Sequence, residues 1–175
     1  NLIRALESVN GKLIHISTDY VFDGNQSIAY KESDLVNPVG VYGRTKRAGE
    51  LAVLNCNLDA VIIRTSWLYS SFGDNFVKKI IDLAKEKTSL NVVNDQFGSP
   101  TYARDLATVC IKILSEGNSN NISKNGNLYH YSNEGTTSWY DFAVAIKNFA
   151  DLNCEIKAIN SGAFNSKAKR PNYSV

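Results

Sequence analysis

Two short runs, Lys12-Leu-Ile-His-Ile-Ser17 and Asp59-Ala-Val-Ile-Ile-Arg64, limit the folds open to this chain more than any other feature. Each is apolar through its middle, and the second is rich in β-branched residues, which suit the pleated backbone. Neither alternates polar with apolar residues as a strand with one wet face does. Such runs suit strands covered on both faces, the usual state of a parallel sheet. Asn91-Val-Val-Asn94 and Leu128-Tyr-His-Tyr131 are two further short strand candidates. His15 stands alone within its strand, which predicts a packed core histidine and not a ligand.

The segments between carry helical spacing. Leu2, Ala5, Leu6 and Val9 share a face before the stop signal Asn10-Gly11. A second helix is expected from just after Pro38 to about Asn55, with apolar content from Ala48, Leu51, Ala52 and Leu54. Phe76, Val77, Ile80, Ile81 and Ala84 mark a third. Leu106, Val109, Cys110 and Ile113 mark a fourth, and Phe142, Ala145, Ile146 and Phe149 a fifth. Ser138 and Asp141, three apart, predict a capping box for the fifth helix. A solvated loop is expected over 117–126. Short apolar strands alternating with helices predict an α/β fold with a largely parallel sheet.

Composition removes several function classes. A formal net charge of +2 with no long basic run argues against a nucleic-acid polymer as partner. No apolar run approaches the ~20 residues of a membrane span. Cys56, Cys110 and Cys154 fit neither a zinc-ligand spacing nor a disulfide framework. They predict reduced thiols of a cytoplasmic protein, and no metal site is expected. The opening residues read as part of a helix already under way, so the chain is expected to be a fragment.

Chemistry is expected beyond the carboxyl ends of the parallel strands. The first strand ends in Ser17-Thr18-Asp19-Tyr20 and the second in Arg64-Thr65-Ser66-Trp67. Hydroxyls there can hold a carbonyl oxygen, and an indole offers a flat wall to a sugar or a base. Tyr42 and Lys46 are four apart, so one helix face presents both. An ammonium beside a phenol favours the phenolate, which would make Tyr42 the better proton donor. If the two strands are parallel neighbours, both ends and the Tyr42 helix meet on one rim.

Ser-Thr-Asp-Tyr-Val-Phe-Asp-Gly over 17–24, Tyr-Gly-Arg-Thr-Lys over 42–46 with Gly49-Glu50, and Arg-Thr-Ser-Trp-Leu-Tyr over 64–69 resemble the extended short-chain dehydrogenase/reductases. Within that superfamily they are most similar to the dTDP-4-dehydrorhamnose reductase family. The likeness runs on through Asn75-Phe76-Val77, Val93–Gln96, Gly98–Thr101, Asp105–Ala107, Ser138–Ala143 and Arg170-Pro171. It implies NADPH- or NADH-dependent reduction of the 4-keto group of dTDP-4-dehydro-L-rhamnose, giving dTDP-L-rhamnose. By position, Thr18 would hydrogen-bond the carbonyl, Tyr42 would donate the proton and also contact the cofactor, and Lys46 would support Tyr42 and bind the nicotinamide ribose. Ile16, Ser17, Arg64 and Ser66 would lie at the nicotinamide end. Asp19 and Trp67 would contact the deoxysugar nucleotide.

The chain departs from that family's pattern at its start, where a glycine-rich pyrophosphate turn is expected and none is present. The expected fold is therefore a partial Rossmann-like parallel sheet lacking its N-terminal βαβ half, plus a smaller substrate-binding lobe. The first would span 1–95 and the second mainly 96–175. The isolated chain is expected to be inactive, with part of its sheet edge unpaired. A homodimer is compatible with the resemblance, though no residue assigns its contact. Two other readings remain. One is an epimerase or dehydratase of the same superfamily, which would usually carry a glutamate beside Thr18 where Asp19 stands. The other is a non-catalytic subunit like the methionine adenosyltransferase beta subunit.

Overall fold

The computed structural model describes residues 1–26, 28–116, 127–163 and 170–173; the loop expected over 117–126 lies outside them. In chain order the described elements are α1 (Leu2–Glu7), β1 (Lys12–Thr18), α2 (Val41–Leu54), β2 (Asp59–Thr65), β3 (Leu68–Tyr69), α3 (Phe76–Glu86) and β4 (Ser89–Val93). Then come β5 (Phe97–Gly98), β6 (Thr101–Tyr102), α4 (Ala103–Glu116), β7 (Asn127–His130), β8 (Thr137–Ser138), α5 (Trp139–Phe149) and β9 (Glu155–Ile159). A single 3-10 turn, Asp19–Val21, follows β1 directly.

The two runs that limit the fold do pair. β1 and β2 are parallel over their whole lengths, from Lys12 opposite Asp59 to Thr18 opposite Thr65. β7 adds to the other side of β2, also parallel, in the order β1-β2-β7. β2 is central and buried on both faces, which is why its sequence does not alternate. Ala60 and Ile62 pack with Val53 and Leu58 towards α1 and α2, while Val61 and Ile63 pack with Leu106 towards α4. The sheet thus has helices on both faces, the α/β architecture expected.

A second assembly is built from β4 and β9, which pair in parallel, with α3 and α5 packed against them. Its core is Ile80, Ala84, Leu90, Val92, Ala143, Ile146 and Cys154. The sheet pairing therefore cuts across residue 95: β4, before it, joins β9, and β7, after it, joins β1 and β2. β9 is absent from the sequence expectations, because Glu155-Ile-Lys-Ala-Ile159 leaves three of its five residues exposed and offers no apolar run. Ser138 caps α5 by accepting the Asp141 N–H at 3.0 Å. The reciprocal half differs from a capping box: the Asp141 carboxylate accepts from the Ser138 hydroxyl at 2.6 Å. Asp is one methylene shorter than the Glu such a box normally uses.

α2 buries little of its apolar content. Ala48, Leu51 and Ala52 face solvent, and of the expected apolar set only Leu54 packs inward. The buried side of α2 carries Gly43, Glu50 and Val53. A Cβ on Gly43 would collide with the carbonyl oxygen of Tyr20, so the helix comes against the turn after β1 only because that Cβ is missing. Gly49 likewise lies against the His15 ring, 3.2 Å from Nε2 to where a Cβ would stand. His15 is half-buried as a packing residue, and burial lowers its pKa, with Lys46 adding to the effect and Glu50 opposing it.

Candidate functional site

The parallel register sets Ser17 opposite Arg64 and Thr18 opposite Thr65, so the two hydroxyl-rich ends emerge side by side. α2 crosses these ends. Lys46 Nζ donates to the carbonyl oxygen of Ile16 at 3.0 Å, fixing the ammonium one residue before Ser17. Tyr42, one turn earlier on the same face, is 54% exposed and meets the Tyr20 ring edge-on at 5.9 Å. Burial pushes the Tyr20 phenol up to about 12, with the Asp19 carboxylate adding to it and Arg170 opposing. Tyr20 is half-buried, and Tyr42 is the accessible phenol of the pair.

Thr18 caps the 3-10 turn, its Oγ1 accepting the Tyr20 N–H at 3.3 Å and donating to Asp19 Oδ1 at 3.0 Å. Two other hydroxyls of the rim are committed inside the protein. Ser66 Oγ donates to the Ser99 carbonyl at 2.6 Å, and Ser17 Oγ donates to Glu50 Oε1 at 2.6 Å. Arg64, only 3% exposed, grips Glu50 with two parallel bonds, Nε to Oε1 at 2.8 Å and Nη2 to Oε2 at 2.9 Å. Its guanidinium also lies 5.1 Å over the Phe22 ring and 3.4 Å from His130 Nε2. The Arg64 side chain thus braces the site from beneath and does not project into it. Burial pushes the Glu50 carboxyl up, but hydrogen bonds from Arg64, Ser17 and Arg47 outweigh it and hold the group below its ordinary value.

Trp67 stacks face to face on Trp139, ring centroids 3.5 Å apart and planes 9° from parallel. Its backbone is left-handed, φ 45°, which a bulky residue adopts only when its surroundings impose it. Gly98 lies so close to the indole that a Cβ there would overlap it. The indole that lines the cleft in front of Tyr42 is Trp139, with Trp67 stacked behind it.

An open cleft of about 740 Å³ lies in front of Tyr42, bounded by Tyr20, Gly40, Arg44, Trp139, Arg170 and Pro171. A second cavity of about 210 Å³ lies between α3 and β4, with Phe76, Leu83, Val92, Gln96 and Lys79 on its walls. Trp139 and Arg170 border both. Thr18, Asp19, Tyr42, Lys46 and the Ile16 carbonyl are thus brought to one rim. Glu50, Trp139 and Arg170 carry no role in the sequence reading. Glu50 had a usable signal, since it continues the Tyr42–Lys46 stripe by one more turn. Among the described residues, no three His, Cys, Asp or Glu side chains converge as a metal site would.

Spore coat polysaccharide biosynthesis protein SpsK of Bacillus subtilis is 43% identical over 173 residues, covering 98% of this chain and 58% of that protein. A dTDP-4-dehydrorhamnose reductase of Aggregatibacter actinomycetemcomitans is 42% identical, covering 93% of this chain and 57% of that protein. A crystal structure of dTDP-4-dehydrorhamnose reductase from Bacillus anthracis, in complex with NADP, superposes with a TM-score of 0.90 at 39% identity. That match covers 99% of this chain and 59% of the other. The chain thus spans less than two thirds of the length of these relatives. The family model for the RmlD substrate binding domain matches residues 1–175, and the chain belongs to that family.

Proposed function

We propose that this chain is the proton-donating and substrate-binding portion of a nucleotide-sugar 4-ketoreductase, reducing dTDP-4-dehydro-L-rhamnose to dTDP-L-rhamnose with NADPH or NADH. The observation that carries this reading is an exposed Tyr42 facing a cleft, one helical turn from a Lys46 anchored on the Ile16 carbonyl. The cofactor fits that arrangement. An ammonium has three donors, and one goes to Ile16, leaving others for ribose hydroxyls. The nicotinamide, when bound, supplies the hydride. The chain's own groups do the rest: Tyr42 gives its proton to the carbonyl oxygen, and the Thr18 hydroxyl, turning its one hydrogen from Asp19 Oδ1, would donate to that oxygen as charge develops on it.

Two cavities joined at Trp139 and Arg170 suit a long, two-ended ligand. The sugar would occupy the cleft before Tyr42, the negative diphosphate would pass Arg170, and the nucleoside would enter the cavity between α3 and β4. Asp19 and Trp67 border the sugar end in this reading. Ile16, Ser17, Arg64 and Ser66 form the floor at the nicotinamide end, Ile16 through its carbonyl and Arg64 through its hold on Glu50. Residues 1–95 would then serve mainly the cofactor and 96–175 mainly the sugar nucleotide, with β4 and β7 crossing that division. The relatives named as reductases support the same substrate class.

The test uses the complete protein that carries this chain, following NADPH oxidation in the presence of dTDP-4-dehydrorhamnose. Tyr42→Phe should lower kcat about 10²- to 10⁴-fold, the range of a lost general acid. Turnover at the wild-type rate in that variant would overturn the assignment.

A further inference from the structure

We infer that Glu50 is a positioning residue for the Tyr42–Lys46 pair, a role that rests on reading the pair as the proton-transfer end of a ketoreductase. Tyr42, Lys46 and Glu50 stand at successive intervals of four along α2 and so form one stripe. The first faces the cleft, the second holds the Ile16 carbonyl, and the third is wholly buried. Glu50 accepts four hydrogen bonds on its two oxygens. Oε1 takes Ser17 Oγ from β1 and Arg64 Nε from β2; Oε2 takes Arg64 Nη2 and, at 2.9 Å, Arg47 Nη1 from its own helix.

This carboxylate fixes the rotation of α2 about its own axis. The other contacts near the site orient it less: the Lys46 bond to the Ile16 carbonyl comes from the end of a long, flexible stem. Gly43 and Gly49 permit close approach but give no direction, and Ala48, Leu51 and Ala52 face solvent. Charge-assisted bonds to a planar, two-toothed partner are directional, and these converge from two neighbouring strands. Ser17 is also chained directly between Ile16, which receives Lys46, and Thr18 of the rim. A shift of α2 relative to Ser17 therefore moves Tyr42 and Lys46 relative to Thr18. A misplacement near 1 Å is enough to cost about 10²-fold in rate.

Glu50→Gln keeps the shape but turns an amide towards donors that need an acceptor. The prediction is a kcat lowered at least about 10-fold, counted per cofactor-binding site well below the unfolding temperature, with substrate KM little changed. Ser17→Ala removes one of the four bonds and leaves the Arg64 fork, so it covers the case in which Glu50→Gln does not fold. It should lower kcat less, in the same direction, with an unfolding midpoint near that of the wild type. A merely structural Glu50 would lower the midpoint and leave turnover per site unchanged in both variants, and that result would overturn the inference. A complete wild-type protein that binds cofactor but never reduces the keto sugar would instead remove the functional reading, and the role of Glu50 with it.

Discussion

At the carboxyl ends of β1 and β2, Glu50, Arg64, Arg47 and Ser17 share four hydrogen bonds inside the protein. Between α3 and α5 the comparable space is filled ring against ring. Phe76 lies 4.5 Å from Trp139 and 5.6 Å from Phe142, and Trp139 lies 3.5 Å from Trp67. The two regions face opposite demands. A proton donor must be held to a carbonyl within a fraction of an ångström, which suits directional, charge-assisted bonds. A long ligand with a flat base needs apolar surface that can adapt, which suits stacked rings and aliphatic packing. Trp139 belongs to the aromatic region and borders both cavities, so the seam between the regions runs through the cleft.

The largest expected effect tests the charged region. Arg64→Leu strands the Glu50 carboxylate in a buried site with only Ser17 and Arg47 as donors. It should cost about 3–5 kcal/mol, measured by urea unfolding of the complete protein. Leu90→Ala, in the apolar region, should cost about 2–5 kcal/mol through lost transfer energy and a cavity. The double variant sharpens the comparison. Residues in separate clusters should add to within about 0.5 kcal/mol, and a larger coupling would show that the two regions are one cooperative core.

The same contrast separates what could be read in the sequence from what could not. β2 was legible because burial on both faces leaves an unbroken apolar run, and α3 because Ile80 and Ala84 keep helical spacing against one core. The convergence of Thr18, Lys46 and Tyr42 followed from parallel pairing, a rule of topology and not of composition. The packing face of α2 was not legible. Apolar periodicity reports helices docked by oil, and this one docks by missing Cβ atoms and a buried carboxylate. Of the partners of Glu50 only Arg47 is local; Ser17 lies 33 residues upstream and Arg64 14 downstream, so no local pattern announces those two. β9 escaped for a related reason: its partner β4 lies far back in the chain, and its own residues are mostly exposed.

A smaller effect probes the edge of the aromatic region. Ser138→Ala removes the cap of α5, the helix that carries Trp139 and Phe142, and should cost about 1 kcal/mol. Since the cap sits beside the stack, the change should appear in tryptophan fluorescence.

Acidification should produce the most gradual change, and it should be one-sided. Both histidines lie in the charged region, His15 on β1 and His130 on β7. Burial lowers both from the ordinary value of 6.5; for His15 Lys46 adds to this, while for His130 Glu32 opposes it. The folded state therefore takes these protons later than the unfolded state does. Their contribution is complete above about pH 6.5 and is lost as pH falls through the folded values. Glu50 acts in the same sense lower down. Its folded pKa lies below the ordinary 4.5, so its contribution is present above that value and lost as pH falls through the lower one. Hydrogen-exchange protection, corrected for intrinsic rates, should therefore fall for β1 and β2 amides as pH is lowered below the ordinary histidine value of 6.5. Amides of α5 should hold over the same range. Equal losses in both regions would mean that the histidines destabilise the chain as a whole, and that the charged strand ends have no separate opening of their own.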